Sequence, residues 1–413
     1  TRNFLVAAGL EQALRFLERL RFDEATLDWL ARSGRFRAGF LDSLRDLRFT
    51  GTVDAMHEGT VFFPDEPVLR VIAPIREAQL VEARLLNLVH FETVVASKAA
   101  RVVLAARGRR VVDFGLRRAH GPQAGVLAAR ACWIAGFDGS SDMEAGRRYG
   151  IPLFGTMAHS FVQAHDGEAQ AFEHFARSFP DANTLLIDTW DTEAAARTVA
   201  AMAPRLAQEG IALQAVRLDS GDLGEHARKV RRILDDAGLG AMTIFASGNL
   251  DEWRVDALRR EAAPIDAFGV GTRVVTASDA PYLDCAYKLQ EYDGRPTRKR
   301  SEGKATWPGR RQAWRTAHAA GTVAGDLVTL ASEPGPPGAR PLLHRVMDDG
   351  RRVGPADASG LPAARERCAA QLRRLPQPLR ELEPAPAYPV AIGEGLLALR
   401  DRVDREIAAA AGR

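Results

Sequence analysis

The stretch FGTMAHSFVQAH, Phe154 to His165, places His159 between small residues directly after an apolar, glycine-flanked run. Taken alone, an imidazole in that setting reads as a hydrogen-bonded histidine near a helix start, and why one of only nine histidines stands there is a question for the rest of the chain. Other side chains suited to binding or catalysis gather at the ends of short apolar runs. They are Asp113, Phe114 and Arg117 at and after VVDFG; Asp188 in LLIDT; Arg217 and Asp219 in QAVRLDSGD; Ser247, Gly248 and Asn249 in TIFASGN; and Gly269, Gly271 and Thr272 in IDAFGVGT. Arginines and loop amides suit phosphate or carboxylate oxygens, carboxylates suit magnesium or ribose hydroxyls, and glycines let backbone N–H groups approach an anion closely. Singly, each is weak. GVGTRV lacks the third glycine of the dinucleotide fingerprint, an Arg-x-Asp is commonly a surface ion pair, and an Asp at a strand end, such as Asp188, is about as often a helix cap.

The runs that carry these residues set the architecture. Between about residues 99 and 290, short apolar runs end in small or charged residues and give way to helical patterns, over and over. That rhythm predicts a parallel α/β barrel, in which the strand C-termini face the active site. Residues 1–98 read differently: LEQALRFLERL has helical apolar spacing, GTVFFPDEPVLRVIAP reads as a hairpin, and EAQLVEARLLNLVHFETVVASKAARVVLAA is a long helical pattern. Residues 291–413 hold a basic segment, the loop-like ASEPGPPGARPL and a terminal helical stretch.

Composition bounds the function. With 413 residues, 46% hydrophobic and 26% charged, the chain has the balance of a globular protein with a large core. No apolar run reaches membrane-spanning length and the start lacks a signal-peptide pattern, so the expectation is a cytoplasmic protein without a membrane partner. Cys132, Cys285 and Cys368 are far apart and lack metal-ligand spacing. A net charge of +3 gives no general argument for a nucleic-acid partner. The basic GRPTRKRSEGKATWPGRRQAWR is read as a solvated hairpin or an anion site, and it does not match a nucleotide phosphate loop.

Six segments decide among these readings. FTGTV, FGLRRAHGPQAG, GFDGSSDMEAGRRYGIPLFGTMAHSF, VRLDSGDL, FASGNLDE and FGVGTRVVTASDAP occur in order and together closely resemble the nicotinate phosphoribosyltransferase family. The resemblance covers nearly the whole chain. It implies an α/β protein of the type II phosphoribosyltransferase fold: an irregular α/β barrel, an α+β domain built from both chain ends, and a homodimer with shared active sites. It also implies transfer of phosphoribosyl from phosphoribosyl pyrophosphate to nicotinate, giving nicotinate mononucleotide and pyrophosphate in NAD salvage, with Mg2+ and with ATP as co-substrate. A nicotinamide- or quinolinate-using relative, or a non-catalytic ligand-binding homologue, are the alternatives.

By the same resemblance, His159 is the histidine phosphorylated by ATP, Phe114 stacks on the pyridine ring, and Arg117 and Arg217 meet the nicotinate and phosphoribosyl groups. Asp219 positions ribose or metal, and Ser247, Gly248, Asn249, Gly269, Gly271 and Thr272 form loops that hold the 5'-phosphate. Ser141 stands where nicotinamide-using relatives place an Asp, which favours a carboxylate substrate. Asp142 departs from the family's usual Asn and would oppose that carboxylate if it pointed into the pocket. The family's first helix, which covers the ring in the partner's site, lies upstream of Thr1, so weak nicotinate binding is expected.

Overall fold

The computed structural model describes residues 2–354 and 360–411. Two compact units emerge: one of residues 1–94, 282–379 and 384–413, the other of residues 95–281 and 380–383.

The second unit is built on six parallel strands: β1 (Arg110–Asp113), β2 (Gly139–Ser140), β3 (Thr184–Leu186), β4 (Ala215–Leu218), β5 (Thr243–Ala246) and β6 (Ala267–Val270). Their order across the sheet is β2-β1-β6-β5-β4-β3. Apolar residues dominate the strands because both faces are covered, one by helices and one by the curled interior. Val112, Phe245 and Ala267 pack together with Phe114 and Phe154 on the inside. On the outside, helix Leu223–Asp236 buries Leu223, Ala227, Val230 and Leu234, a spacing that keeps one apolar stripe against the sheet. Asp222 caps that helix by accepting from Glu225 N at 3.0 Å. Short strand, loop and helix repeat, the helices after β2, β3, β4 and β5 being capped by an Asp, so every strand C-terminus opens into a loop at one end of the sheet. The edge strands β2 and β3 do not pair with each other, and the chain between them carries His159.

The first unit is α+β and draws strands from both ends of the chain. Thr52–Met56 pairs antiparallel with Leu343–Asp348 on one side and Leu69–Ile72 on the other. A second sheet orders Arg340–Pro341, Arg311–Ala317, Val323–Leu330 and Val390–Ile392. Both parts of the expected fold, the irregular α/β barrel and the α+β unit, are therefore present. One expectation fails. The stretch read as a hairpin does not pair with itself: Val61–Phe62 pairs with Leu5–Val6, and Leu69–Ile72 pairs with Thr52–Met56. Pro64 and Pro67 lie between the two strands and have no N–H to donate to a ladder. The basic segment folds its cations onto acids, with Arg310 2.8 Å from Glu291 and Arg298 3.2 Å from Asp404.

Candidate active site

At the C-terminal end of the parallel sheet, Arg217 from β4 organises a polar network. Its Nε donates to Ser247 Oγ at 2.8 Å, Nη1 to Thr156 Oγ1 at 2.6 Å and Nη2 to Asp219 Oδ1 at 2.9 Å. Ser247 Oγ donates in turn to Asp219 Oδ1 at 2.5 Å. Three loops are thus locked to one guanidinium, whose planar fork fixes direction as well as charge. Burial alone would push the Asp219 carboxyl up. The Arg217 charge, hydrogen bonds from Ser247 and Arg217, and the nearby His159 outweigh it and hold the group below its usual value.

An aromatic floor lies against this network. The Arg217 guanidinium carbon stands 5.4 Å from the centre of the Phe114 ring, and Phe114 and Phe245 are 5.6 Å apart. Gly269 makes room for them: a Cβ there would come within 2.8 Å of Phe114 Cδ2 and 2.7 Å of Phe245 Cε1. Gly248 has φ of +96°, and a Cβ there would meet Asp219 O at 2.0 Å, so the turn after β5 accepts only glycine. Asn249 follows with φ of +50°.

His159 opens the short helix His159–Gln163 and is part-exposed. Its Nε2 is 3.3 Å from Asp188 Oδ1. The other oxygen of Asp188 accepts from Asp219 N at 3.0 Å and Ser220 Oγ at 2.5 Å, so the carboxylate is fixed before it meets the imidazole. An Nε2–H donated to Asp188 leaves the lone pair on Nδ1. Asp188 is not the cap of the next helix. That role belongs to Asp191, which accepts from Ala194 N at 2.7 Å.

Two other acids have structural duties. Asp113 is fully buried, accepts from Ser140 Oγ at 2.7 Å and Gly115 N at 2.8 Å, and is pushed up to about 6 by burial, against those hydrogen bonds and with help from Asp142. Asp142 caps helix Met143–Tyr149, its Oδ1 accepting from Glu144 N at 2.9 Å and Ala145 N at 3.1 Å. Its Oδ1 is therefore committed to the helix, while Oδ2 is buried without a hydrogen-bond partner. Ser141 is half-buried between them and donates its backbone N–H to Asp113 O at 2.9 Å.

The structure thus brings together Phe114, Arg217, Asp219, Ser247, Gly248 and Gly269, with His159 joined through Asp188. Arg117, on the turn Leu116–Arg118, and Thr272, at the start of Thr272–Val275, are exposed at the same strand ends and make no hydrogen bond to the Arg217 network. Gly271 lies against Phe114 O. Thr156 and Ser220 were missed by sequence reasoning. Thr156 had a signal, a hydroxyl inside GTMAHS; Ser220 had none beyond its place beside Asp219.

Among the described residues, no group of three or more His, Cys, Asp or Glu is placed to hold a metal ion. Asp188 and Asp219 accept hydrogen bonds yet keep acceptor capacity, and magnesium is commonly held by one or two carboxylates together with substrate phosphates rather than by a protein cage. A groove of about 1140 Å³ in the α+β unit, lined by Val68, Val71, Val89 and Tyr287 among others, contains none of the candidate residues, so volume does not locate the chemistry.

Comparison with known proteins settles the ancestry. The profile of the nicotinate phosphoribosyltransferase N-terminal domain matches residues 1–90, and that of the nicotinate phosphoribosyltransferase family matches residues 109–296. A nicotinate phosphoribosyltransferase of Mycobacterium tuberculosis is 50% identical over 397 residues, covering 96% of this chain and 84% of the relative. The chain belongs to the nicotinate phosphoribosyltransferase family. A bovine nicotinate phosphoribosyltransferase is 33% identical over 97% of this chain and 89% of its own length. The crystal structure of human nicotinic acid phosphoribosyltransferase superposes with a TM-score of 0.85 at 29% identity, covering 97% of this chain and 93% of that one. Within the described residues, no helix is long and apolar enough to cross a membrane.

Proposed function

We propose that this nicotinate phosphoribosyltransferase family member transfers the phosphoribosyl group of phosphoribosyl pyrophosphate to nicotinate, releasing pyrophosphate, with ATP hydrolysed through His159. The observation that carries the reading is the Arg217 network: one guanidinium locked to Asp219, Ser247 and Thr156 and laid over the Phe114 ring. In the reaction the bond from ribose C1' to the pyrophosphate oxygen breaks, with the electron pair leaving on pyrophosphate. The unprotonated pyridine nitrogen donates its own pair to C1', so no proton changes hands. What the protein must supply is position and charge.

Each part of the network has a place in that task. Phe114 offers a face for the pyridine ring, Arg217 offers charge to the anionic substrates, and ionised Asp219 aligns ribose hydroxyls and favours positive charge developing at C1'. The loops at Gly248 and Asn249 and at Gly271 and Thr272 offer backbone N–H groups to the 5'-phosphate, whereas Ser247 gives its N–H to Leu218 O and Gly269 sits within β6 beneath the aromatic rings; Arg117 stands ready for the substrate carboxylate. Magnesium belongs to this reading as a companion of the pyrophosphate. For the ATP step, Nδ1 of His159 attacks the γ-phosphorus, the bond to ADP breaks, and Asp188 stabilises the Nε2–H of the phosphorylated ring. The phosphohistidine is then hydrolysed.

Nicotinate is favoured over nicotinamide because Ser141 puts no carboxylate at that position, and Asp142 turns its Oδ1 to the helix cap. We assign catalysis to the parallel unit, take the functional form as a homodimer with shared active sites, and place it in the cytoplasm, where its three free cysteines stay reduced. The test is a substrate panel. Purified chain with phosphoribosyl pyrophosphate and magnesium should convert nicotinate well ahead of nicotinamide and quinolinate, and ATP should stimulate it. Preference for nicotinamide or quinolinate overturns the assignment.

A further inference from the structure

Behind the loops that follow β5 and β6 lies a charged cluster that the reaction as derived above does not use. Lys98, on helix Glu82–Ala106, is 1% exposed; its Nζ lies 2.6 Å from Glu252 Oε2 and 3.0 Å from Asp279 Oδ1, and donates to Glu252 Oε1 at 2.9 Å. Glu252 is wholly buried and opens helix Glu252–Arg260, which begins just after the Ser247-Gly248-Asn249 loop. Asp279 follows the short helix Thr272–Val275, which opens at the Gly271-Thr272 loop. One ammonium therefore joins the chain behind one loop to the chain behind the other. Arg101, also on the long helix, meets Glu252 Oε1 at 3.2 Å and donates to Leu382 O at 3.1 Å.

A buried ion cluster is a poor way to gain stability, because removing its charges from water costs about what their attraction returns, and apolar replacements often do as well. What it does supply is direction. An apolar plug lets two segments slide over it, whereas an ammonium that must satisfy two carboxylates fixes both.

We propose that Lys98 is a positioning residue for phosphoribosyl pyrophosphate: by binding Glu252 and Asp279 together it sets the separation of the two loops that hold the 5'-phosphate. The inference rests on the phosphoribosyltransferase reading above. Lys98 is too deeply buried to meet substrate and acts through the loops alone.

The test uses the full chain with Lys98→Met and Asp279→Asn, and Arg101→Met as the comparison, since that variant damages the same cluster while leaving the Lys98 bridge in place. KM for phosphoribosyl pyrophosphate and for nicotinate are measured separately, with thermal melting alongside. Lys98→Met should raise KM for phosphoribosyl pyrophosphate about ten- to a hundredfold, the scale expected when a distant change misplaces binding groups by an ångström. Asp279→Asn, which removes the charge at one end and leaves at most a neutral acceptor for the ammonium, should raise it less. The nicotinate KM at saturating phosphoribosyl pyrophosphate should stay at the wild-type value. Arg101→Met should melt earlier yet keep its phosphoribosyl pyrophosphate KM. The proposal is overturned if Lys98→Met only melts earlier, or if Arg101→Met raises that KM equally. Should Lys98→Met fail to fold, Asp279→Asn decides, because Asp279 is 32% exposed and its replacement is mild; an unchanged KM there overturns the proposal. A wild-type protein that makes no nicotinate mononucleotide overturns the functional reading itself, a different and recognisable result.

Discussion

Replacing Arg217 with methionine keeps most of the side chain's length and removes its charge and all three hydrogen bonds, to Ser247, Thr156 and Asp219. A hydrogen bond involving a charged group contributes about 1.5–3 kcal/mol, and the three here share one guanidinium, so their losses do not add. At about 1.4 kcal/mol per factor of ten, kcat/KM for phosphoribosyl pyrophosphate should fall by roughly one to two orders of magnitude. A second consequence is independent of that magnitude. Asp219 is held low by Arg217 against the upward push of its burial. Without Arg217 the carboxyl moves up, and the acid limb of the kcat/KM profile should move to higher pH. Stability follows the same sign. A carboxyl whose value is lowered by folding contributes stability above its unfolded value of 3.8, lost as pH falls through the lowered value. The stability gap between wild type and variant should therefore be full at neutral pH and close in acid. Steady-state kinetics and chemical denaturation across pH supply the assay. A folded Arg217→Met protein with wild-type kcat/KM and an unmoved acid limb would refute the reasoning.

Three further outcomes are expected. His159→Ala should lose ATP stimulation and labelling by γ-labelled ATP while keeping a slow ATP-independent transfer, and equal labelling of wild type and variant would count against the role. Gly269→Ala, whose new methyl would press on both Phe114 and Phe245, should weaken nicotinate more than phosphoribosyl pyrophosphate in calorimetric titrations. Asp113 is raised from 3.8 to about 6, so its contribution to stability is full in acid and lost as pH climbs through that window; Asp113→Asn, compared with wild type by denaturation between those values, should lack that loss.

The parallel architecture was legible because every strand except the two-residue β2 is a short apolar run ended by a loop and a helix, and those local signals agree with the fold they make. The strand-end rule then selected Phe114, Arg217, Asp219, Ser247 and Gly269 before any contact was visible, and the structure joins them. What the sequence could not carry was pairing at long range. That Val61–Phe62 meets Leu5–Val6 rather than its near neighbour depends on prolines in the connection and on strands from elsewhere competing for the same edges. Asp188 shows the same limit in the site. An acid at a strand end reads equally as a cap, and only the position of Asp191 frees it to meet His159. Asp142 shows it from the other direction, since a residue that raised doubt about a carboxylate substrate turns out to be tied to the start of a helix.

The central claim is that this sheet end joins nicotinate to phosphoribose. Isotope-labelled nicotinate, phosphoribosyl pyrophosphate and magnesium, mixed with the purified chain and resolved by mass spectrometry, test it directly. The account predicts labelled nicotinate mononucleotide formed one-for-one with pyrophosphate, slowly without ATP and faster with it. Folded protein that binds phosphoribosyl pyrophosphate yet yields no labelled mononucleotide under either condition would contradict it.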